Sequence, residues 1–244
     1  MTEHTTTSDH HTVRAFDSVL QEIARKVAEM GGLAEKQIAD AIRALLERDV
    51  ELAGHVIATD AMVDAMQQEI EQKAVLTIAR RQPMAVDLRE IVAAMRTCND
   101  LERIGDHAKH IGKRVVALSV DLYPQTLVRG VEHMADLVLS LLKGVLDAYA
   151  SRDVKAALAV WKGDEEVDGL CMSLFRELLT YMMEDPRNIT FCTHLMFCAK
   201  DIERMGDHAT NIAETIYYMI EGSAIADQRP KGDPTNFPSA LMQR

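Results

Sequence analysis

Apolar residues return along this chain at alternating steps of four and three. Phe16, Leu20, Ile23, Val27, Met30, Ala34, Ile38, Ala41 and Leu45 form the first such series. That spacing lies on one face of a helix turning every ~3.6 residues and marks the seam of a coiled-coil-like bundle. Leu127, Val131, Met134, Val138, Leu141 and Val145 keep the same rhythm further on. Between them Val56, Val63, Ile70 and Thr77 match Val160, Val167, Leu174 and Tyr181, each 104 residues later. Ala94, Cys98, Leu101, Gly105, Ala108, Gly112 and Val115 likewise match Leu195, Ala199, Ile202, Gly206, Ala209, Ala213 and Ile216, each 101 later.

Polar breaks near 48–50, 83, 119–124, 151–153 and 186 divide this pattern into six helices. The expected fold is all-α, a duplicated three-helix unit giving two tandem, similar three-helix bundles, each running up-down-up with short turns. Residues 13–120 and 121–221 are the expected bundles, 1–12 a disordered leader and 222–244 a flexible tail rich in Pro and Gly. Arg48-Asp49-Val50 returns as Arg152-Asp153-Val154, and Pro83 as Pro186. Asp185-Pro186 reads as a helix N-cap followed by Pro at the first helical position. Gly31-Gly32 interrupts the first seam, and two interior glycines cost a helix about 1 kcal/mol each, so a kink or a close backbone approach is expected there. Gly105, Ala108 and Gly112 would let the third helix come close to a neighbour.

Composition narrows the function. The net charge of -11 disfavours nucleic acid, whose phosphates need clustered Lys and Arg, and favours cations or basic protein surfaces. No apolar run approaches the ~18 residues of a membrane span, and residues 1–12 lack the apolar stretch of a signal peptide, which points to a cytoplasmic protein. Cys98, Cys171, Cys192 and Cys198 form no C-x-x-C pair and sit among apolar positions, as reduced core residues rather than metal ligands.

The chemistry lies in Glu102-Arg103-Ile104-Gly105-Asp106-His107, which returns as Glu203-Arg204-Met205-Gly206-Asp207-His208. Glu-x-x-x-Asp sets two carboxylates on one helix face, where like charges repel. Asp60 and Asp64, then Asp164 and Asp168, form further i, i+4 pairs on the preceding helices. Counted from Pro83, Asp64 and Glu102 are each 19 residues away, and Asp60 and Asp106 each 23, so an antiparallel hairpin brings them level. Asp168 and Asp164 meet Glu203 and Asp207 in the same way about Pro186. Each unit thus offers four carboxylates flanking the core, on a rim or surface groove, and such a cluster needs protons or a cation. Oxygen-only ligation suits Mg, Ca, Mn or ferric Fe better than Zn.

Arg103 and Arg204 offer the alternative of plain salt bridges. His107 and His208, about 100° around the helix from the motif carboxylates, read as polar neighbours rather than ligands. Trp161 reads as a packing residue. A carboxylate-bridged metalloenzyme and a metal-storage bundle are the competing functions. The Glu-x-x-His of ferritin-like oxidases is missing, as are a P-loop and a nucleophile arrangement, so no enzyme is expected.

Met30-Gly31-Gly32, Arg80-Arg81-Gln82-Pro83 leading to Asp87-Leu88-Arg89, Leu101 to Asp106, Leu179 to Asp185 and Ile202 to Asp207 together resemble the PhoU family of bacterial phosphate-transport accessory proteins, over Phe16 to Glu221. The resemblance implies metal ions held at Asp60/Asp64, Glu102/Asp106, Asp164/Asp168 and Glu203/Asp207, and a homodimer. It implies action with the phosphate ABC transporter, through its ATPase subunit, and with a PhoR-type sensor kinase. The regulator would repress the phosphate regulon when phosphate is plentiful. The Pro186 segment lacks the Arg-Gln-Pro string of the first unit, so a partner contact through Arg80, Arg81 and Arg89 would have no counterpart.

Overall fold

The structure, a computed structural model, describes residues 6–118 and 125–226, with side chains from 16 and from 127 onward in the two stretches. Six long helices fill it: α1 (Thr6–Glu47), α2 (Val50–Arg81), α3 (Val86–Ala117), α4 (Gln125–Ser151), α5 (Val154–Glu184) and α6 (Ile189–Glu221). A single 3₁₀ turn, Pro186–Asn188, leads into α6. No strand occurs among the described residues. Helix α1 begins at Thr6, so residues 6–12 of the expected leader are helical, while residues 1–5, 119–124 and 227–244 lie outside the described residues. Residues 222–226 have left the helix.

The repeated Arg-Asp-Val strings turn the chain between α1 and α2 and between α4 and α5. Arg48 and Arg152 take left-handed backbone conformations at φ 59° and 55°. The next amide reaches back in each case, Asp49 N–H to Ala44 O and Asp153 N–H to Ala148 O, both at 3.0 Å. This 6→1 bond closes one helix while the same Asp caps the next. Asp49 accepts from Leu52 N–H at 2.9 Å, and Asp153 from Lys155 and Ala156 N–H at 2.8 and 3.1 Å. Asp185 caps the Pro186 turn by accepting from Arg187 N–H at 3.0 Å.

Helices α2 and α3 form an antiparallel hairpin against α1, and α5 and α6 form another against α4. Every member of the α3 and α6 seams is buried as its spacing requires, while Phe16 and Leu20 at the start of the α1 seam and Tyr181 at the end of the α5 seam are only partly so. The two units also meet each other, α3 on α6 and α1 on α4, so one continuous apolar core runs through all six helices. Full burial of each Leu or Ile in it contributes about 1.5–3 kcal/mol.

Close approaches fall at glycines. A Cβ on Gly112 would lie 3.2 Å from the Ala53 backbone oxygen, and one on Gly31 2.6 Å from Leu146 Cδ2. Of the two outcomes expected at Gly31-Gly32, the close approach is realised, at Gly31 against α4. Helix α1 continues unbroken through both. Trp161 packs at 4% exposure and donates its indole N–H to Glu214 Oε1 at 3.0 Å.

Candidate metal centre

The α2–α3 hairpin sets Asp60 and Asp106 level, as their equal distance from the turn requires. In the first unit Lys109 joins α2 to α3, its Nζ reaching Asp60 Oδ2 and, at 3.3 Å, Asp106 Oδ1. The Glu102 carboxyl titrates above its ordinary range, chiefly because burial disfavours its charge. Arg103 opposes that shift, and Asp106, Asp64 and Asp60 reinforce it. Asp106, Asp64 and Asp60 are thus near enough to Glu102 to oppose its ionisation. In the second unit Asp164 Oδ1 lies 3.6 Å from where a Cβ on Gly206 would stand, which places α5's first acidic residue against the α6 motif. The Cys171 thiol is pushed up to about 11, chiefly by burial and further by Glu203 and Asp168 against the opposing Lys200.

Three of the eight residues sit deeper than a rim. Asp60, Asp164 and Asp168 are buried, at 4%, 1% and 8% exposure, and only Asp64, Glu102, Asp106, Glu203 and Asp207 are partly open. A heptad position flanking a two-helix seam becomes interior once a third helix closes over it. Buried carboxylates require a compensating charge, and the two units supply it differently. Lys109 serves the first. Its equivalent 101 residues later is Thr210, whose hydroxyl donates to Gly206 O at 3.0 Å. In the second unit Lys200 instead meets Glu203 Oε1 at 2.7 Å. The arginines expected as alternative partners contribute little in the first unit: Arg103 is half exposed and stands 3.5 Å from Glu102 and 3.7 Å from Asp106.

The donor set fits a hard cation. Glu203 Oε2 is buried and has no hydrogen-bond partner, and a buried acceptor left in that state is costly unless a cation meets it. Carboxylate oxygens are the ligands that Mg, Ca, Mn and ferric Fe prefer, although among the described residues no three of these carboxylates bring their oxygens within 4.8 Å of one another. Asp60, Asp64, Glu102 and Asp106 would hold such an ion in the first unit, in competition with Lys109. Asp164, Asp168, Glu203 and Asp207 would hold it in the second.

Sequence reasoning missed a second set of polar residues, on the faces of α3 and α6 that meet each other. His107 Nδ1 stands 3.0 Å from Asp201 Oδ1, and His208 Nδ1 stands 2.9 Å from Asp100 Oδ1. The two pairs are exchanged by an approximate two-fold relation between the units, and the His107 and His208 rings lie 5.8 Å apart. His107 is therefore buried and paired across the units with Asp201, not turned to solvent beside its motif. The available signal was the repeat itself, which begins two residues before the Glu-x-x-x-Asp motif, at Asp100 and Asp201. Between the units a recess of about 530 Å³ is lined by these histidines together with Arg103, Asp106, His110, Arg204, Asp207 and Asn211.

Comparison with known proteins agrees with this architecture. The PhoU domain model matches residues 27–115 and again 131–216, one match in each unit. A phosphate-specific transport system accessory protein PhoU homolog of Rhizobium meliloti (strain 1021) is 55% identical over 229 residues, covering 94% of this chain and 97% of that protein. The homolog of Caulobacter vibrioides (strain NA1000 / CB15N) is 52% identical over 223 residues, covering 91% and 97%. Among solved structures, PhoU from Pseudomonas aeruginosa superposes with a TM-score of 0.80 at 38% identity, covering 85% of this chain and all of that one. The phosphate transport system regulatory protein PhoU from Streptococcus pneumoniae gives 0.79 at 29% identity, covering 86% and 99%. With both units matched and more than half its residues shared with a full-length relative, the chain belongs to the PhoU family.

Proposed function

We propose that this protein is an accessory regulator of phosphate uptake. It binds metal through Asp60, Asp64, Glu102 and Asp106 in one unit and Asp164, Asp168, Glu203 and Asp207 in the other. It works in the cytoplasm as a homodimer, docking on the ATPase subunit of the phosphate ABC transporter and on a PhoR-type sensor kinase. It keeps the phosphate regulon repressed while phosphate is plentiful. The observation that carries the reading is the near end-to-end identity with proteins described as phosphate-specific transport accessories. Supporting it, no described helix is long and apolar enough to cross a membrane, so contact with a transporter would run through protein surfaces. The role asked of the chain is binding rather than turnover, with its carboxylates holding an ion.

The test is deletion of the gene followed by assay of alkaline phosphatase in phosphate-rich medium. Derepression supports the proposal, and normal repression in the deletion strain refutes it. Co-purification with the transporter ATPase and the kinase, with and without a chelator, then tests the adaptor role and its dependence on metal. Capture of neither protein in metal-replete buffer counts against docking.

A further inference from the structure

The interface between α3 and α6 treats its two halves unequally, and the difference has the form of a metal site. His107 and His110 stand one turn apart on α3 and both present Nδ1 to Asp201 Oδ1, at 3.0 and 3.6 Å. One ligand atom from each of the three side chains lies within 4.8 Å of the other two, and they are the group for which this holds among the described His, Cys, Asp and Glu residues. Ligand bonds of about 2.0–2.1 Å in a tetrahedral shell put donor atoms about 3.3–3.4 Å apart, which the two distances here straddle. Arg114 Nε holds the other oxygen, Asp201 Oδ2, at 3.4 Å, and its guanidinium lies 4.5 Å from the centre of the Phe197 ring. Such an outer contact fixes a ligating carboxylate and leaves its free oxygen aimed at the ion.

The other half of the pseudo-symmetric pair supplies an internal comparison. There Asp100 meets His208, but Asn211 occupies the place of His110 and donates its amide N–H to Asp100 Oδ1 at 3.3 Å. An amide nitrogen is not a ligand, so this half is a hydrogen-bonded frame and the His110 half adds a second imidazole to it. We propose that His107, His110 and Asp201 form a transition-metal site of the zinc class, separate from the carboxylate clusters, with its open coordination position toward the recess between the units. Two imidazoles and one carboxylate with a vacant fourth position are the donor set of zinc centres that take water or an exogenous ligand. Nitrogen ligation also sets this site apart from the all-oxygen clusters, which select harder ions. Ligation through Nδ1 keeps both imidazoles neutral, with the ring proton on Nε2.

The inference does not rest on the phosphate-regulatory reading and is tested apart from it. The untagged full chain is titrated with Co²⁺, read by its visible ligand-field absorption, and then displaced with Zn²⁺. The wild type is expected to develop one equivalent of the intense band of a tetrahedral nitrogen–oxygen site, over the weak absorption of any ion held by the all-oxygen clusters. His110→Asn, which copies the Asn211 half, is expected to lose that equivalent. Asp64→Asn combined with Asp168→Asn is expected to keep it. Asn211→His, which copies the His110 half, is expected to gain a second equivalent. The N-terminal histidines are common to every variant and cancel in the comparison. An H110N titration indistinguishable from wild type, no ligand-field band in the wild type, or a band lost with the carboxylates would each overturn the proposal. Should circular dichroism show H110N misfolded, N211H decides alone, a second equivalent supporting the site and an unchanged count refuting it.

Discussion

Lys109 carries the clearest residue-scale consequence. Its ammonium occupies the ground between Asp60 and Asp106 that a cation would take. Lys109→Met should destabilise the metal-free chain by about 1–3 kcal/mol, because buried Asp60 loses its partner. Saturating Mn²⁺ should restore more stability to the variant than it adds to the wild type, as an ion replaces the lost charge. Urea unfolding in chelator and in Mn²⁺ measures both, and an equal gap in the two media would count against a shared site. Glu102→Gln should act with opposite signs, stabilising the chelated chain by about 0.2–0.5 kcal/mol per relieved like-charge pair while weakening Mn²⁺ binding. A variant that stabilises without loss of affinity would remove Glu102 from the ligand set.

The thiols give a prediction in pH. Cys98 and Cys198 are pushed up to about 12, in both cases mainly by burial. An unfolded thiol titrates near 8.5, so the native state holds these protons longer. Their stabilising contribution is fully present below about pH 8.5 and is lost as pH rises toward about 12. At neutral pH the native chain should therefore react with a thiol reagent no faster than it opens, whereas urea should expose all four free cysteines. Rapid stoichiometric labelling of the native protein would contradict this.

At the scale of the helix, glycines separate packing from propensity. A Cβ on Gly32 or Gly169 meets nothing within 4 Å, so Gly32→Ala and Gly169→Ala should each stabilise by about 0.5–1 kcal/mol in thermal or urea unfolding. Gly31→Val should destabilise, because its Cβ would stand 2.6 Å from Leu146 Cδ2. If all three substitutions moved stability the same way, the α1–α4 contact would be misplaced.

The same scale shows what could be read in the sequence. Every seam deduced from four-and-three spacing is buried on α3 and α6, because an apolar stripe reports directly on the face it hides. The level pairing of Asp60 with Asp106 was legible too, since distance from an antiparallel turn is a count of residues. The second buried face of α3 was not. It runs Ala93, Thr97, Asp100, Ile104, His107 and Ile111, half of it polar, so no apolar stripe marks it. A helix enclosed by three neighbours buries more than one face, and only docking of the second unit decides which polar residues go inside. Lys109 escaped notice for a similar reason, since its reach across to Asp60 follows from how α2 and α3 pack and not from its place on α3.

Over the whole molecule, duplication followed by packing of the two units creates more chemistry than either unit holds. The α2–α3 hairpin sets Asp60 and Asp106 on either side of Lys109, and the contact of α3 with α6 adds the paired His and Asp residues between the units. Because one core runs through both units, truncation to residues 13–120 would expose the apolar faces of α1 and α3 that α4 and α6 now cover. Such a fragment should aggregate or unfold at temperatures the full chain tolerates, and a soluble fragment with an unchanged melting temperature would show the units to be independent.

The most direct measurement on the carboxylate clusters is the metal content of the full chain by elemental analysis, after loading with Mn²⁺ or ferric iron and exhaustive dialysis. The wild type is expected to retain metal, Asp106→Asn and Asp207→Asn each to lose part of it, and the double variant to lose what the carboxylates hold. A wild type that retains none, or a double variant that retains as much as the wild type, would contradict the assignment and leave Lys109 and the neighbouring arginines as the cations these acidic residues were built to meet.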